Sequence, residues 1–197
     1  MNYLNAKSIG GDLSLEFINT ANNRYDESYQ ELLINTSDLI EWAKNLNLGN
    51  ELDNINTQIN IEDIRLLRDS MFNIMYSIIN KRCVNKKDID VYNNWLIEAH
   101  NSIEIYQSDE EEIKVNHLDD GGICSILNPI VRSFYKLLIS SKTLNRVKQC
   151  GSAKCDWLFI DKTRNRSKQW CSMELCGNRE KARKYYQGKT NKRLKEL

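Results

Sequence analysis

Four of the six cysteines, Cys150, Cys155, Cys171 and Cys176, fall within 27 residues in the spacing C-x4-C-x15-C-x4-C. Two close pairs of thiolates satisfy a tetrahedral zinc ion without a preformed core, so this spacing constrains the chain more than any other feature. The opening residues lack a basic region followed by an apolar run, so a secretory signal is not expected. Thiols in such a chain are expected to stay reduced, in a cytoplasmic protein, and a disulfide framework is the poorer reading. The expected cofactor is therefore one zinc ion. It is structural, because four protein ligands leave no position for water or substrate.

The residues around the cysteines supply the rest of a small zinc-bound unit. Gly151, within CGSAKC, suits the tight turn of a knuckle. Asp156–Ile160 reads as a short strand, Lys162–Ser167 as a basic turn, and Gln169–Cys171 as a returning strand. Gly177–Tyr186 reads as a helix with Gly188 as its stop, placing Cys176 on the first turn at the positive helix end. Knuckle, hairpin and helix in this order resemble a treble-clef zinc finger. Cys83 and Cys124 lie beside apolar residues and read as small core residues.

The formal net charge of +1 hides a division. Residues 142–197 hold 16 Lys+Arg against 5 Asp+Glu, a net of +11, and residues 1–141 hold 12 against 22, a net of −10. A zinc ion with four thiolates adds −2, leaving the finger at about +9. The cations form three groups: Arg146 and Lys148; Lys162, Arg164, Arg166 and Lys168 at the expected hairpin tip; and Arg179, Lys181, Arg183 and Lys184 on the terminal helix. Such clustering on a zinc scaffold points to a nucleic-acid partner through phosphate contacts, and charge alone leaves DNA and RNA both open. Trp157, Phe159, Trp170, Tyr185 and Tyr186 are mostly needed to cover so small a finger, rather than to stack on bases.

The acidic part reads as mostly helical. Ile61, Ile64, Leu67, Met71, Ile74, Met75 and Ile78 share one face of a helix over 61–81, and a second helix is expected over Lys87–His100. Ser37 or Asp38 is expected to cap a helix ending at Gly49. Asp12–Thr20 fits either a short strand or a helix start. Ile103, Ile105, Ile113 and Val115 alternate with polar residues around an acidic tip, which predicts a β-hairpin. After Gly121-Gly122 an apolar run carries Pro129, expected to kink or delay a helix. The fold class is α+β, predominantly α: a helical domain over 1–141 with a small hairpin, and a zinc finger over 142–197. No run approaches the ~18 apolar residues of a membrane span, so no membrane partner is expected.

Cys176-Gly177-Asn178-Arg179, preceded by Trp170-Cys171-Ser172-Met173, resembles the CGNR zinc-finger family, and the likeness reaches back through Phe159-Ile160-Asp161 to the first cysteine pair. Gln169 stands where many members carry arginine before the Trp-Cys pair, with Lys168 as a substitute. Residues 10–24, GGDLSLEFINTANNR, are similar to the opening of the ABATE domain, which commonly precedes that finger. The resemblance implies a bacterial, stress-related transcription regulator with Cys150, Cys155, Cys171 and Cys176 as zinc ligands and Arg179 as the motif arginine. Glu16, Asn19, Thr20 and Arg24 admit two readings: a small-molecule effector pocket, or a Glu16–Arg24 ion pair with Asn19 and Thr20 capping a turn, the commoner use of such side chains.

No nucleophile elbow, phosphate-binding glycine loop, dinucleotide fingerprint or H-E-x-x-H is present, and His100 and His117 stand apart, so an enzyme is not expected. An RNA-binding accessory protein and a thiol- or zinc-based redox sensor are the alternatives. The sequence leaves the oligomeric state open.

Overall fold

The computed structural model describes residues 9–48, 60–118 and 122–193, with side chains to residue 187. About 52% of the chain is helical, and three small antiparallel β-pairs complete it. The elements run α1 (Leu13–Ile18), β1 (Ala21–Asn22), β2 (Gln30–Glu31), α2 (Thr36–Asn45), α3 (Ile61–Ile79), α4 (Lys86–Asn101), β3 (Ile103–Gln107), β4 (Ile113–His117), α5 (Cys124–Ile139), α6 (Ser141–Leu144), β5 (Val147–Gln149), β6 (Leu158–Ile160) and α7 (Asn178–Arg193). Gly49, Gly121 and the cation Lys195 lie outside the described residues.

The apolar periodicity of α3 is used as its spacing requires. Ile64, Leu67, Met71, Ile74 and Met75 are buried, with Ile61 and Ile78 at the margin. They meet α1, α4 and α5 in one core, where Tyr92 and Phe134 pack edge to face and the Tyr92 hydroxyl donates to the Val131 carbonyl. The ambiguous Leu13–Ile18 stretch is a helix, because Asp12 caps it by accepting from the Ser14 amide. The cap of α2 is Asn35, with Asp38 closing a capping box, rather than Ser37 or Asp38 itself. Pro129 sits inside α5, which continues through it to Ile139. Cys83 is exposed and is not the core residue expected, whereas Cys124, half-buried at the start of α5, packs against the core. Among the described residues no helix is long and apolar enough to cross a membrane.

The expected β3–β4 hairpin forms, with Ile105 opposite Val115, and both of its faces are largely exposed. The finger hairpin departs from expectation. Leu158–Ile160 pairs with Val147–Gln149, so the ribbon closes across the first cysteine knuckle, while Gln169–Cys171 forms no strand. The Cys150 amide donates to the Trp157 carbonyl, extending this ribbon into the knuckle. The knuckle therefore serves as the hairpin turn, and the basic stretch 162–168 is a separate loop.

The two charge-defined parts share apolar packing. Val147, Leu158 and Ile160 belong to the core built by the helices, whereas Phe159, on the opposite face of β6, packs with Trp157 and the four cysteines. Gly10 reaches this ribbon directly: its carbonyl accepts from the Ile160 amide, and a Cβ there would come within 2.8 Å of the Leu15 Cβ.

Candidate metal centre

The chain brings four sulfurs together from two loops. Cys150 and Cys155 flank the knuckle between β5 and β6, Cys171 follows the basic loop, and Cys176 lies in a wide helical turn, Met173–Gly177, just before α7. All four are buried and their Sγ atoms lie within 4.8 Å of one another. Thiolates placed about 2.3 Å from a zinc ion in a tetrahedron stand about 3.8 Å apart. The observed separations are 3.8 Å for Cys155–Cys171 and 3.5 Å for Cys171–Cys176. The donor set therefore fits a single structural zinc held by protein alone.

Crowding of the thiols makes the same point. Hydrogen bonds from Cys155, Cys171 and Cys176 pull the Cys150 thiol down, while the same proximity pushes Cys155 and Cys171 up. Four buried sulfurs cannot all ionise side by side unless a cation compensates them. The supporting groups suit thiolates: the Cys171 amide donates to Cys150 Sγ at 3.4 Å, and Arg179 Nη2 to Cys176 Sγ at 3.3 Å. The Gly151 amide donates to the Gln169 carbonyl at 2.9 Å and ties the two knuckles together. A Cβ on Gly151 would sit 3.3 Å from that carbonyl oxygen and from the Trp170 ring, a close approach that a side chain could make only if these neighbours gave by a few tenths of an ångström.

The ten cations expected to meet nucleic acid divide into two sets. Arg146 Nη1 donates to the Asp161 and Thr163 carbonyls, and Lys148 Nζ donates to Asp161 Oδ2 at 2.7 Å and to the Arg166 carbonyl at 2.5 Å. Lys168 Nζ lies 4.6 Å from the Phe159 ring centroid. Arg179 also donates to Ser152 Oγ and the Lys154 carbonyl, clasping the first knuckle to α7. These four cations hold the finger together. Lys162, Arg164, Arg166, Lys181, Arg183 and Lys184 are exposed.

Three acidic residues that sequence reasoning passed over explain this division. Asp161 is fully buried and accepts from the Thr163 and Lys168 amides, the Thr163 hydroxyl and Lys148, so it folds the loop 161–168 around itself. Burial alone would raise its carboxyl, but Lys148 and Thr163 outweigh that and hold it well below the usual carboxylate range. Glu180 is buried on α7 between Ser152 and Arg183, and Asp156 is buried against Arg24. Three of the five acids of residues 142–197 thus face inward, and the cations outside the internal contacts leave a predominantly basic surface.

Glu16, Asn19, Thr20 and Arg24 turn to protein partners. Glu16 accepts from the Ile9 and Gly11 amides. The Asn19 carboxamide pairs with both backbone groups of Leu158, each at 2.8 Å, and Thr20 Oγ1 donates to the Phe17 carbonyl. Arg24 donates to the Ile18 and Ala21 carbonyls, pairs with Asp156 at 3.3 Å and Asp69 at 3.4 Å, and lies over the Phe72 ring. The expected Glu16–Arg24 pair is not made, because Asn23, at φ 54°, turns the chain so that Arg24 meets Asp156. Asn19 and Arg24 thereby fasten the N-terminal segment to the finger.

α7 is polar along its length. From Asn178 to Gln187 only Glu180 is buried, and the helix runs through Gly188 to Arg193 instead of stopping there. A glycine inside a helix costs only about 1 kcal/mol, which the flanking helix-favouring residues absorb.

The geometry described above coincides with a family match. Residues 146–189 match the CGNR zinc finger, covering both cysteine pairs, the basic loop and the start of α7. No curated protein matches the chain.

Proposed function

We propose that this protein is a DNA-binding transcription regulator that contacts the duplex through its zinc finger. The observation that carries the reading is the sorting of charge: Asp156, Asp161 and Glu180 are buried in internal contacts, while Lys162, Arg164, Arg166, Lys181, Arg183 and Lys184 remain on the surface. A polar helix such as α7 has little to bury in its own chain, and phosphates give its cations a partner. The N-terminal likeness to the ABATE domain supports a bacterial, stress-related regulator. An effector-sensing role would have to use groups other than Glu16, Asn19, Thr20 and Arg24, whose polar atoms are engaged within the protein.

Arg164 and Arg166 test the reading. Changed together to Ala, they should weaken duplex binding and reduce the slope of log affinity against log salt by about 2, one for each lost phosphate contact. Their exposure leaves the fold and zinc content intact. An unchanged slope in fluorescence-anisotropy titrations removes this loop from the interface.

A further inference from the structure

The acidic half carries one stretch that opposes its character. Residues 80–87, NKRCVNKK, join α3 to α4 and hold Lys81, Arg82, Lys86 and Lys87 with no acidic residue, in a part of the chain whose net charge is −10. All four cations are exposed.

Three of them sit against local preference. α3 ends with the Arg82 amide donating to the Ser77 carbonyl and the Lys81 amide to the Ile78 carbonyl. This termination places its left-handed residue where glycine or asparagine is usual. Lys81 occupies it at φ 54°, whereas the corresponding residue after α2 is Asn47. Lys86 and Lys87 then open α4, at the helix end that favours acidic side chains. Lys86 pairs with Asp90 in the less favourable order, cation before acid. Positions where local rules fail without a local gain point to function.

The fold puts this loop beside the finger. α3 packs on β5, and an open groove of about 470 Å³ is lined on one side by Ile79 and Asn80 and on the other by Lys148, Lys168 and Trp170. Lys81 and Arg82 follow Asn80 directly in the chain. Across the groove lies the basic loop 162–168, where Arg166 is likewise left-handed at φ 54°. We infer that the α3–α4 loop is a second arm of the interface, its cations holding the phosphate backbone of a DNA duplex whose other contacts are made by the finger. This rests on the DNA-binding reading above.

Two measurements on the full-length zinc-bound protein test it. Cys83 is exposed within the loop and outside the metal centre, so it reports without substitution. Saturating duplex should strip Cys83 of most of its reactivity toward iodoacetamide, read by peptide mass spectrometry. Separately, Lys81→Gln, Arg82→Gln, Lys86→Gln and Lys87→Gln together should reduce the salt slope by about 4 while zinc content and circular dichroism stay unchanged. Lys114→Gln, on the β3–β4 hairpin, should leave the slope alone. If the wild-type protein binds duplex but Cys83 reactivity and the slope are both unaffected, the second arm is overturned and the finger reading stands. If the wild-type protein binds no duplex, or binds RNA of the same sequence more tightly, both fall.

Discussion

Stripping the metal with a strong chelator is expected to unfold the knuckles and α7 while leaving β5 and β6 in place. α7 buries only Glu180 among its described side chains, and it is moored through Cys176, Arg179 and Glu180 to the first knuckle. Without zinc the four sulfurs lose their common centre and the moorings lose their base. Structural zinc contributes about 10–16 kcal/mol of binding free energy in isolated fingers, all of it available to folding. β5 and β6 have a second footing, because Val147, Leu158 and Ile160 are buried in the helical core and Asn19 holds both backbone groups of Leu158. Hydrogen exchange should therefore show α7 and residues 169–177 unprotected in the chelated protein, with the ribbon amides still protected. Protection of α7 that survives metal removal contradicts the structural role assigned to the site.

Arg24→Ala is expected to destabilise the whole protein by about 3–5 kcal/mol, as when one partner of a buried ion pair is removed. The Arg24 and Asp156 side chains are 7% and 8% exposed, and Arg24 donates to the Ile18 and Ala21 carbonyls in addition to the carboxylates. Most of the loss comes from leaving Asp156 charged and unpaired in the interior. Adding Asp156→Ala to the Arg24 variant should accordingly recover part of it, as urea denaturation would show. A loss below about 1 kcal/mol for Arg24→Ala, the range of an exposed pair, would contradict the interior clamp described here.

The metal centre and the long helices were legible because their signals are local. Cysteine spacing states the donor set, and the period of α3 states its buried face. The β5–β6 pairing was not, since a three-residue strand such as Leu158–Ile160 does not reveal its partner, and Val147–Gln149 precedes the knuckle that turns the chain. Nor was the inward use of Asp161 and Glu180, because a charge count treats every carboxylate as surface. Lys148 and Arg179 were read as phosphate contacts for the same reason, yet one neutralises Asp161 and the other clasps Cys176. The exposed Cys83 looked like core because valine follows it, whereas the loop that carries it is set by the helix termination at Asn80.

These corrections move the cationic surface without removing it. The exposed cationic charge is left by subtraction, after the internal acids have taken their partners. The loop 162–168 owes its shape to Asp161, and its exposed arginines owe their position to that shape. The N-terminal segment contributes by clamping β6 and Asp156, so that the finger is presented on a firm base.

The central claim is zinc-dependent binding to duplex DNA, and chromatin occupancy of the tagged protein in its native host tests it most directly, with Cys171→Ala as the control. The account predicts discrete sites of occupancy that disappear in the Cys171 variant. Flat occupancy of the wild-type protein, or sites that persist when the ligand is lost, would contradict it.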